Sequence, residues 1–469
     1  MFMHKSKKGF TIVELVIVIA VIAILAAVLI PTFSNLVKKA NIAADTQLAK
    51  NLNTALTMAE AKGDKVDTFN DALKALRDGG YIISNLNPTA EGCYFVWEAE
   101  SNQILLVDGE KNYSVIYKSK ELSKDQPGAT WHFAVSNIDD VDGLKALGGD
   151  NNHPSVVYSP KNAEALEGAF EDVYTNGGTV VISQDITMGS GNFLLQPTVD
   201  DSANATIDLA GNTMTNTSNI DYTVTGLETS KRFGQLTAAN GTLTIANGNV
   251  ASHSGSSFVI SAIESGKVIV EDVVIDSFAA PTNGQGAGVA LRVLGAEADM
   301  KVSDTTVNLK AKGGGCEIGI GTATFENVNI VVDSTNDSFS NMCVSASRDG
   351  TLTINSGNYT AKGSADGVIA LYTTAGNIVI NGGTFTAQTT TNAICNPYLP
   401  TNNAYTLQHT IILKGGTFVF GNKTVTISAL TDANYQSEIK SLFGTKNCAD
   451  IANHITVAKI DGGYKVTID

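Results

Sequence analysis

Hydrophobic and polar positions change their period twice along this chain, and each period predicts a different element. Residues 15–30 are sixteen apolar side chains in a row, preceded by one acid, Glu14, and by a short basic stretch with Lys5, Lys7 and Lys8. Beyond Ile30, apolar residues recur every three or four positions at Leu36, Ala40, Ala44, Leu48, Leu52, Leu56 and Ala59. That spacing places them on one face of a helix, and Gly63 supplies its stop. The pattern predicts a single helix over residues 10–62, about 80 Å long at 1.5 Å per residue. Some twenty apolar residues cross a bilayer, so residues 10–30 are the membrane-spanning part. Pro31 cannot bond to the Ala27 carbonyl and is expected to kink or loosen the helix there.

A small mixed segment follows over residues 63–120. The run VDTFNDALKALRDGGY predicts a short helix capped by Asp67 or Thr68, with Phe69, Leu73 and Leu76 on one face and Gly79-Gly80 at its end. Residues 93–97, 104–107 and 113–117 read as three strands joined by Ser101-Asn102 and Asp108-Gly109 turns. Gly, Asp and Asn concentrate over residues 121–160, which read as a linker. Asp139, Asp140 and Asp142 form a solvated acidic run there rather than a metal site.

From residue 205 the period becomes two, and the sequence repeats itself. The units are TIDLAGNTMTN, TLTIANGNVAS, KVIVEDVVIDS, DMKVSDTTVNL, TATFENVNIVV, TLTINSGNYTA, NIVINGGTFTA and TIILKGGTFVF. Their fourth residues are Leu209, Ile245, Val270, Val302, Phe325, Ile354, Ile380 and Leu413. Their ninth are Met214, Val250, Ile275, Val307, Ile330, Tyr359, Phe385 and Phe418. Apolar second, fourth and ninth positions around an Asn, Asp or Gly bend predict strand, bend, strand, with both strands pointing into one core. A recurring period of about 29 residues is the mark of a solenoid, and the columns fit neither a leucine-rich repeat nor a propeller. The rest of each period is assigned to loops, the long ones over residues 217–240, 278–297 and 388–409. An amphipathic helix with Ala163, Leu166, Phe170 and Val173 on one face is expected to cap the first repeat. A helical stretch over 434–443 and a hairpin at Gly462-Gly463 are expected to close the other end.

Charge narrows the function. The chain has 469 residues and a formal net charge of −15; without Lys5, Lys7 and Lys8 this becomes −18. A nucleic-acid-binding surface needs a basic stripe, so no nucleic-acid partner is expected. Five cysteines cannot pair completely. They read chiefly as small buried side chains, although Cys316 and Cys343, 27 positions apart, are spaced to meet as a disulfide across neighbouring repeats. No Cys/His spacing suggests zinc, and no cofactor is implied.

The order basic–Gly–Phe–Thr–x–x–Glu through Gly9, Phe10 and Glu14, with the apolar run behind it, resembles the type IV pilin family over residues 5–62. In that family a prepilin peptidase cleaves after the glycine matching Gly9 and methylates the new N-terminus, here Phe10. The resemblance implies a leader over 1–9, a pilin helix over 10–62 and a small α+β pilin head. It implies a single-pass precursor in the cytoplasmic membrane that the pilus assembly machinery transfers to an extracellular filament cored by these helices. There Glu14 would meet the amino group of a neighbouring Phe10 and set the axial register between subunits. The repeats resemble the right-handed parallel β-helix of pectin-lyase-like proteins, implied over residues 161–430 with a C-terminal cap over 431–469.

Catalysis is not expected of that domain. Hydrolases of this fold pair carboxylates, and their Asn-Thr-Asp, Gly-His-Gly and Arg-Ile-Lys motifs are absent. Arg292 and Arg348 are isolated arginines, and His253 and His409 lie far apart. Tyr372, Tyr398 and Tyr405 fall between the repeat units, the last two in a loop stiffened by prolines, and are the candidate contacts for a surface glycan. The expected function is a minor pilin or pilus-associated adhesin displaying a binding module. The alternatives are a pseudopilin of a type II secretion or DNA-uptake machine and a filament-borne polysaccharide lyase or hydrolase.

Overall fold

A computed structural model describes residues 11–80, 87–136, 141–147, 155–182, 184–188, 203–216, 236–252, 258–277, 288–309, 313–334, 342–363, 367–371, 376–389, 393–397, 409–444 and 451–468. The chain forms a long N-terminal apolar helix followed by a region made mostly of β-strands. Two compact units divide it: the first holds most of the chain up to Ala134 together with Gly143–Ser155, and the second holds Val135–Asp142 and the chain from Val156 onward.

In the first unit, helix α1 spans Ile12–Lys62 and ends at Gly63, whose φ of 97° suits glycine alone. The helix is continuous through Pro31, where loosening was expected. Losing one hydrogen bond is tolerable in a ladder of this length, and Thr32 Oγ1 donates to Val28 O at 2.8 Å in the turn around the proline. The packed face of α1 comprises Asp45, Ala49, Leu52, Asn53, Ala55, Leu56 and Ala59. It is rotated from the expected stripe, leaving Leu36 and Leu48 exposed. Helix α2, Phe69–Asp78, is capped by Thr68 in a reciprocal box with Asp71 and buries Ala72, Leu73, Ala75 and Leu76. Strands β1 (Cys93–Glu98), β2 (Gln103–Asp108) and β3 (Ser114–Tyr117) form the expected antiparallel meander. A fourth strand, β4 (Trp131–Val135), pairs with β1 and lies in the stretch read as a linker. Its alternating Trp131 and Phe133 are fully buried, a short strand signal that the Gly- and Asp-rich flanks obscure.

The second unit is dominated by three ladders of parallel strands, built from successive repeats. The first ladder runs through Gly178–Val181, Asn204–Asp208, the start of Thr242–Ser252, then onward to Asn377–Ile380 and His409–Leu413. The second runs from Ile186–Met188 to Thr417–Phe420. In every later unit the fourth and ninth residues stack in the expected register, Ile245 on Val270 and Tyr359 on Phe385 among them. The first unit departs: Ile207, not Leu209, pairs with Ile245, because its bend is two residues longer. Leu209 is buried within that bend.

The third ladder went unread in the sequence. It joins Leu236–Ala238, Phe258–Ile263, residues 288–294 and 313–320, Met342–Ala346, Ile369–Leu371 and Cys395–Pro397. Parts of the expected long loops 217–240, 278–297 and 388–409 are therefore strand. These strands are three to eight residues of mixed small and apolar character, too short to show a period.

Packing explains the columns. Ile354 and Ile380 are fully buried, as are Tyr359, Phe385 and Phe418. Tyr359 stacks on Phe385 at 4.9 Å between centroids, and Phe385 on Phe418 at 5.0 Å, with interplanar angles of 10° and 17°. The strand spacing of a sheet, about 4.8 Å, dictates this stacking. The thiols of Cys93, Cys316, Cys343 and Cys395 are free and buried. Cys316 lies opposite Val344 rather than Cys343, which corrects the disulfide reading, and burial pushes the Cys316 and Cys343 thiols above their usual range. Cys448 lies outside the described residues.

Bends need left-handed backbone, and two residue classes supply it. Asn247, Asp272, Asp304 and Asn327 take φ of 63°, 53°, 48° and 51°, which Asn and Asp tolerate. In the last three repeats the role passes one place on, to Gly357, Gly383 and Gly416, at φ of 114°, 102° and 102°. A Cβ on Gly357 would lie 2.0 Å from the Val328 carbonyl oxygen. Gly357→Ala is therefore expected to cost about 3 kcal/mol or more, read as a clear fall in melting temperature.

Ahead of the expected cap helix, Ser155–Tyr158 pairs parallel with Gly178–Val181 in the stretch read as a linker. Helix Ala163–Asn176 buries Leu166, Ala169, Phe170, Val173 and Tyr174. At the other end the parallel run stops: His409–Leu413 pairs antiparallel with Gly463–Ile468, itself in a hairpin with Ile455–Ile460. Thr417–Phe420 likewise pairs antiparallel with Lys423–Thr426. The expected helix over 434–443 is the shorter Tyr435–Lys440.

Candidate functional site: the N-terminal helix

From Ile12 to Val37, α1 carries one charged residue, Glu14, and its large apolar side chains stand exposed. By length and composition it is the one helix among the described residues able to cross a membrane. A lone acid at the start of such a surface is costly in lipid and marks a functional position.

The local sequence determines how the acid is held. Thr11 is the N-cap of α1 and Glu14 its third residue, which is the spacing of a capping box. Thr11 N and Thr11 Oγ1 each donate to Glu14 Oε2 at 2.9 Å, and Thr11 Oγ1 accepts from the Glu14 amide at 3.3 Å. Among the described residues, Glu14 Oε1 accepts no hydrogen bond. The T-x-x-E spacing is itself a helix-start signal in the sequence.

Further along α1, two buried polar residues fix the head. Asp45 accepts from the Thr89 and Ala90 amides at 3.0 and 2.8 Å. Asn53 donates to Ile104 O and accepts from Ile104 N, both at 2.8 Å, and so mimics a strand partner for β2. Sequence reasoning missed both. Their signal was a polar residue on an otherwise apolar helical stripe, eight positions apart. Asn53→Ala should strip both groups of Ile104 and cost about 2–3 kcal/mol, measured as easier thermal unfolding of the first unit.

The remaining expected sites are placed as follows. Gly9, Phe10, Tyr372, Tyr398, Tyr405, Asp139 and Asp140 lie outside the described residues. Arg292 faces Glu317 on the third ladder, with Nε 3.8 Å from the carboxylate. Arg348 and Asp349 sit in a left-handed turn. His409 is buried at the end of the first ladder, where desolvation pushes its imidazole down to about 4. Among the described residues no group of acids, histidines and cysteines could hold a metal ion.

Residues 4–30 match the prokaryotic N-terminal methylation motif. Over 111 residues the chain is 34% identical to the type IV wide pilus major component of Thermus thermophilus, covering 79% of that protein and 24% of this one. The chain belongs to the type IV pilin family. This pilin is also 28% identical over 141 residues to a type IV major fimbrial protein of Dichelobacter nodosus, 89% of that protein and 28% of this one. A fimbrial protein of Moraxella nonliquefaciens is 35% identical over 94 residues, and there the pilin spans 61% of its relative's length and 19% of its own. No solved structure matches the pilin.

Proposed function

We propose that this pilin is a minor or tip-proximal subunit of a type IV filament that carries a right-handed parallel β-helix as a binding module for surface glycans. One observation carries the filament reading: an exposed apolar helical segment, Ile12–Val37, with a single acid, Glu14, set at its N-terminal cap. On this reading a prepilin peptidase removes residues 1–9 after Gly9 and methylates Phe10. The single-pass precursor waits in the membrane through residues 10–30 until the assembly machinery draws it into the filament. Glu14 then pairs with the amino terminus of a neighbouring subunit. Residues 63–120 form the head with Trp131–Val135 as its fourth strand, the rest of 121–160 joins it to the repeats, and 161–430 with the cap at 431–469 form the β-helix.

The β-helix reading is supported by parallel ladders in which successive repeats pair at equivalent positions. Repeats this bulky would crowd a filament if every subunit carried them, which favours a minor position over a major one. Side loops on a rigid stack are where solenoids make binding faces, and Tyr372, Tyr398 and Tyr405 are the proposed contacts. The core columns are filled by packed side chains, so the module is read as binding rather than cutting. Two measurements test the proposal. Mass spectrometry of the mature chain should find it beginning at methylated Phe10, with Gly9→Leu blocking cleavage; another N-terminus removes the pilin-type processing. A glycan array probed with the detergent-solubilised chain should give saturable binding that Tyr398→Ala and Tyr405→Ala weaken; turnover of a polysaccharide would favour the enzyme instead.

A further inference from the structure

We propose that His409 makes the C-terminal closure of the second unit an acid-sensitive latch. The residue ends a column of very small ones. In each earlier repeat the position just before the first ladder's register is Gly or Ala, from Ala203 and Gly241 through to Gly350 and Gly376. Consecutive repeats press their backbones together at this corner. A Cβ on Gly241 would lie 2.1 Å from Ala203 O, and one on Gly350 2.5 Å from Ile318 O. The last repeat places His409 there, one residue before the Thr410 amide that donates to Gly376 O at 3.1 Å. On its other side His409 pairs with Ile468 of the closing strand Gly463–Ile468. An imidazole therefore sits at the seam between the last repeat and the strand that seals it. It is 3% exposed, and Nδ1 is buried without a hydrogen-bond partner. A buried polar atom left unpaired is a standing cost to the fold, one that an apolar ring would not carry.

Protonation makes that cost severe, because an imidazolium in the seam is a buried charge with no counter-ion beside it. Burial alone holds the ring down to about 4, against an ordinary value of 6.5. When the closing strand parts from His409, the ring regains water and its ordinary affinity for protons. The open form then takes up a proton near 6.5 and the closed form only near 4. The stability contributed by the neutral ring is full above 6.5 and is lost progressively as the pH falls toward 4. Gly376 and Ile468, the residues on either side of His409, do not titrate. The other ionisable groups described on the closing elements lie toward water or are paired. Lys414, Asp461 and Lys465 are exposed, as is His454 ahead of Ile455–Ile460. Lys459 meets Asp432 and Lys423 meets Glu438, both at 2.7 Å, and the hydrogen bond from Lys459 holds the Asp432 carboxyl below its usual range. Tyr464 stacks on Tyr435 at 5.2 Å between centroids. Asp469 lies outside the described residues.

Hydrogen exchange of the full chain in detergent, read by mass spectrometry at pH 7 and pH 5, tests the latch. Rates are corrected for the intrinsic effect of pH on amide exchange. For peptides covering 409–413 and 455–468, the opening constant of the parent should rise about twentyfold from pH 7 to pH 5, the factor that ring affinities of about 6.5 open and about 4 closed set. Peptides over 351–354, in the middle of the stack, should change by less than about threefold, because local opening leaves them covered. His409→Phe keeps a ring and His409→Gln keeps a polar group, and neither titrates. Each should retain the closure at pH 7 and abolish the rise; if one of them fails to close the end, the other carries the comparison. His454→Gln should respond as the parent does. Closing strands that exchange equally at both pH values in the parent would overturn the latch. So would a rise that persists in a closed His409 variant, one that disappears in His454→Gln, or one shared equally by 351–354.

Discussion

Glu14→Ala is expected to leave the protein cleaved, methylated and abundant in the membrane, yet all but absent from filaments. Alanine favours helix and lipid alike, so neither insertion nor α1 should suffer. On the filament reading proposed above, what is lost is the partner of a neighbouring ammonium group inside an apolar bundle. Removing one member of a buried ion pair costs about 3–5 kcal/mol, because the other is left charged and dry. That is a fall of about two to four orders of magnitude in an association constant. Since Glu14 is the only charge between Ile12 and Val37, no other group can take its place. Immunoblots of sheared filaments against whole membranes measure the effect, and filament content near the parent's would defeat the pairing argument.

Ile354→Asp should have the largest effect on folding. Ile354 is fully buried and pairs on either side with Phe325 and Ile380 in the first ladder. Truncating such a side chain costs about 2–5 kcal/mol, and a carboxylate with no partner adds several more. Together they match the whole stability of an ordinary domain. Limited proteolysis of the full chain should show the repeats degraded in the variant and resistant in the parent. The adjacent Thr353 points to the other side of the same strand and is partly exposed. Thr353→Asp should therefore remain resistant. Equal damage in both would mean that the column does not bear the load assigned to it.

Legibility followed the length of each pattern. The helix, the α2 cap and three head strands were readable because their signals extend over whole elements or rest on one decisive residue, such as Gly63. The first two ladders were readable because their apolar positions recur at fixed offsets, down to the pairing of Val302 with Phe325. The third ladder was not. Its strands enter at variable distance from the others, and Leu236–Ala238 or Cys395–Pro397 offers three residues with no period to count. The first unit was misaligned for a related reason: both Ile207 and Leu209 are apolar, and only the longer bend tells them apart. At the candidate site the acid announced itself by its isolation. The residues that hold it or fix the head, Thr11, Asp45 and Asn53, are ordinary polar side chains whose meaning depends on which backbone groups they face.

The reversal of strand direction at the C-terminal end has a consequence for polymerisation. A ladder whose last strand runs parallel to all the others is a template, since a second molecule arriving in the same sense could extend it indefinitely. Here the final partners of the first two ladders, Gly463–Ile468 and Lys423–Thr426, run the opposite way, so a copy arriving in the same sense meets no matching edge on either. The outermost strand, Ile455–Ile460, adds exposed Lys459, tied to Asp432 at 2.7 Å. A protein that polymerises through one surface gains from edges that are inert elsewhere, and the reversed strands at the ends of two ladders are edges of that kind.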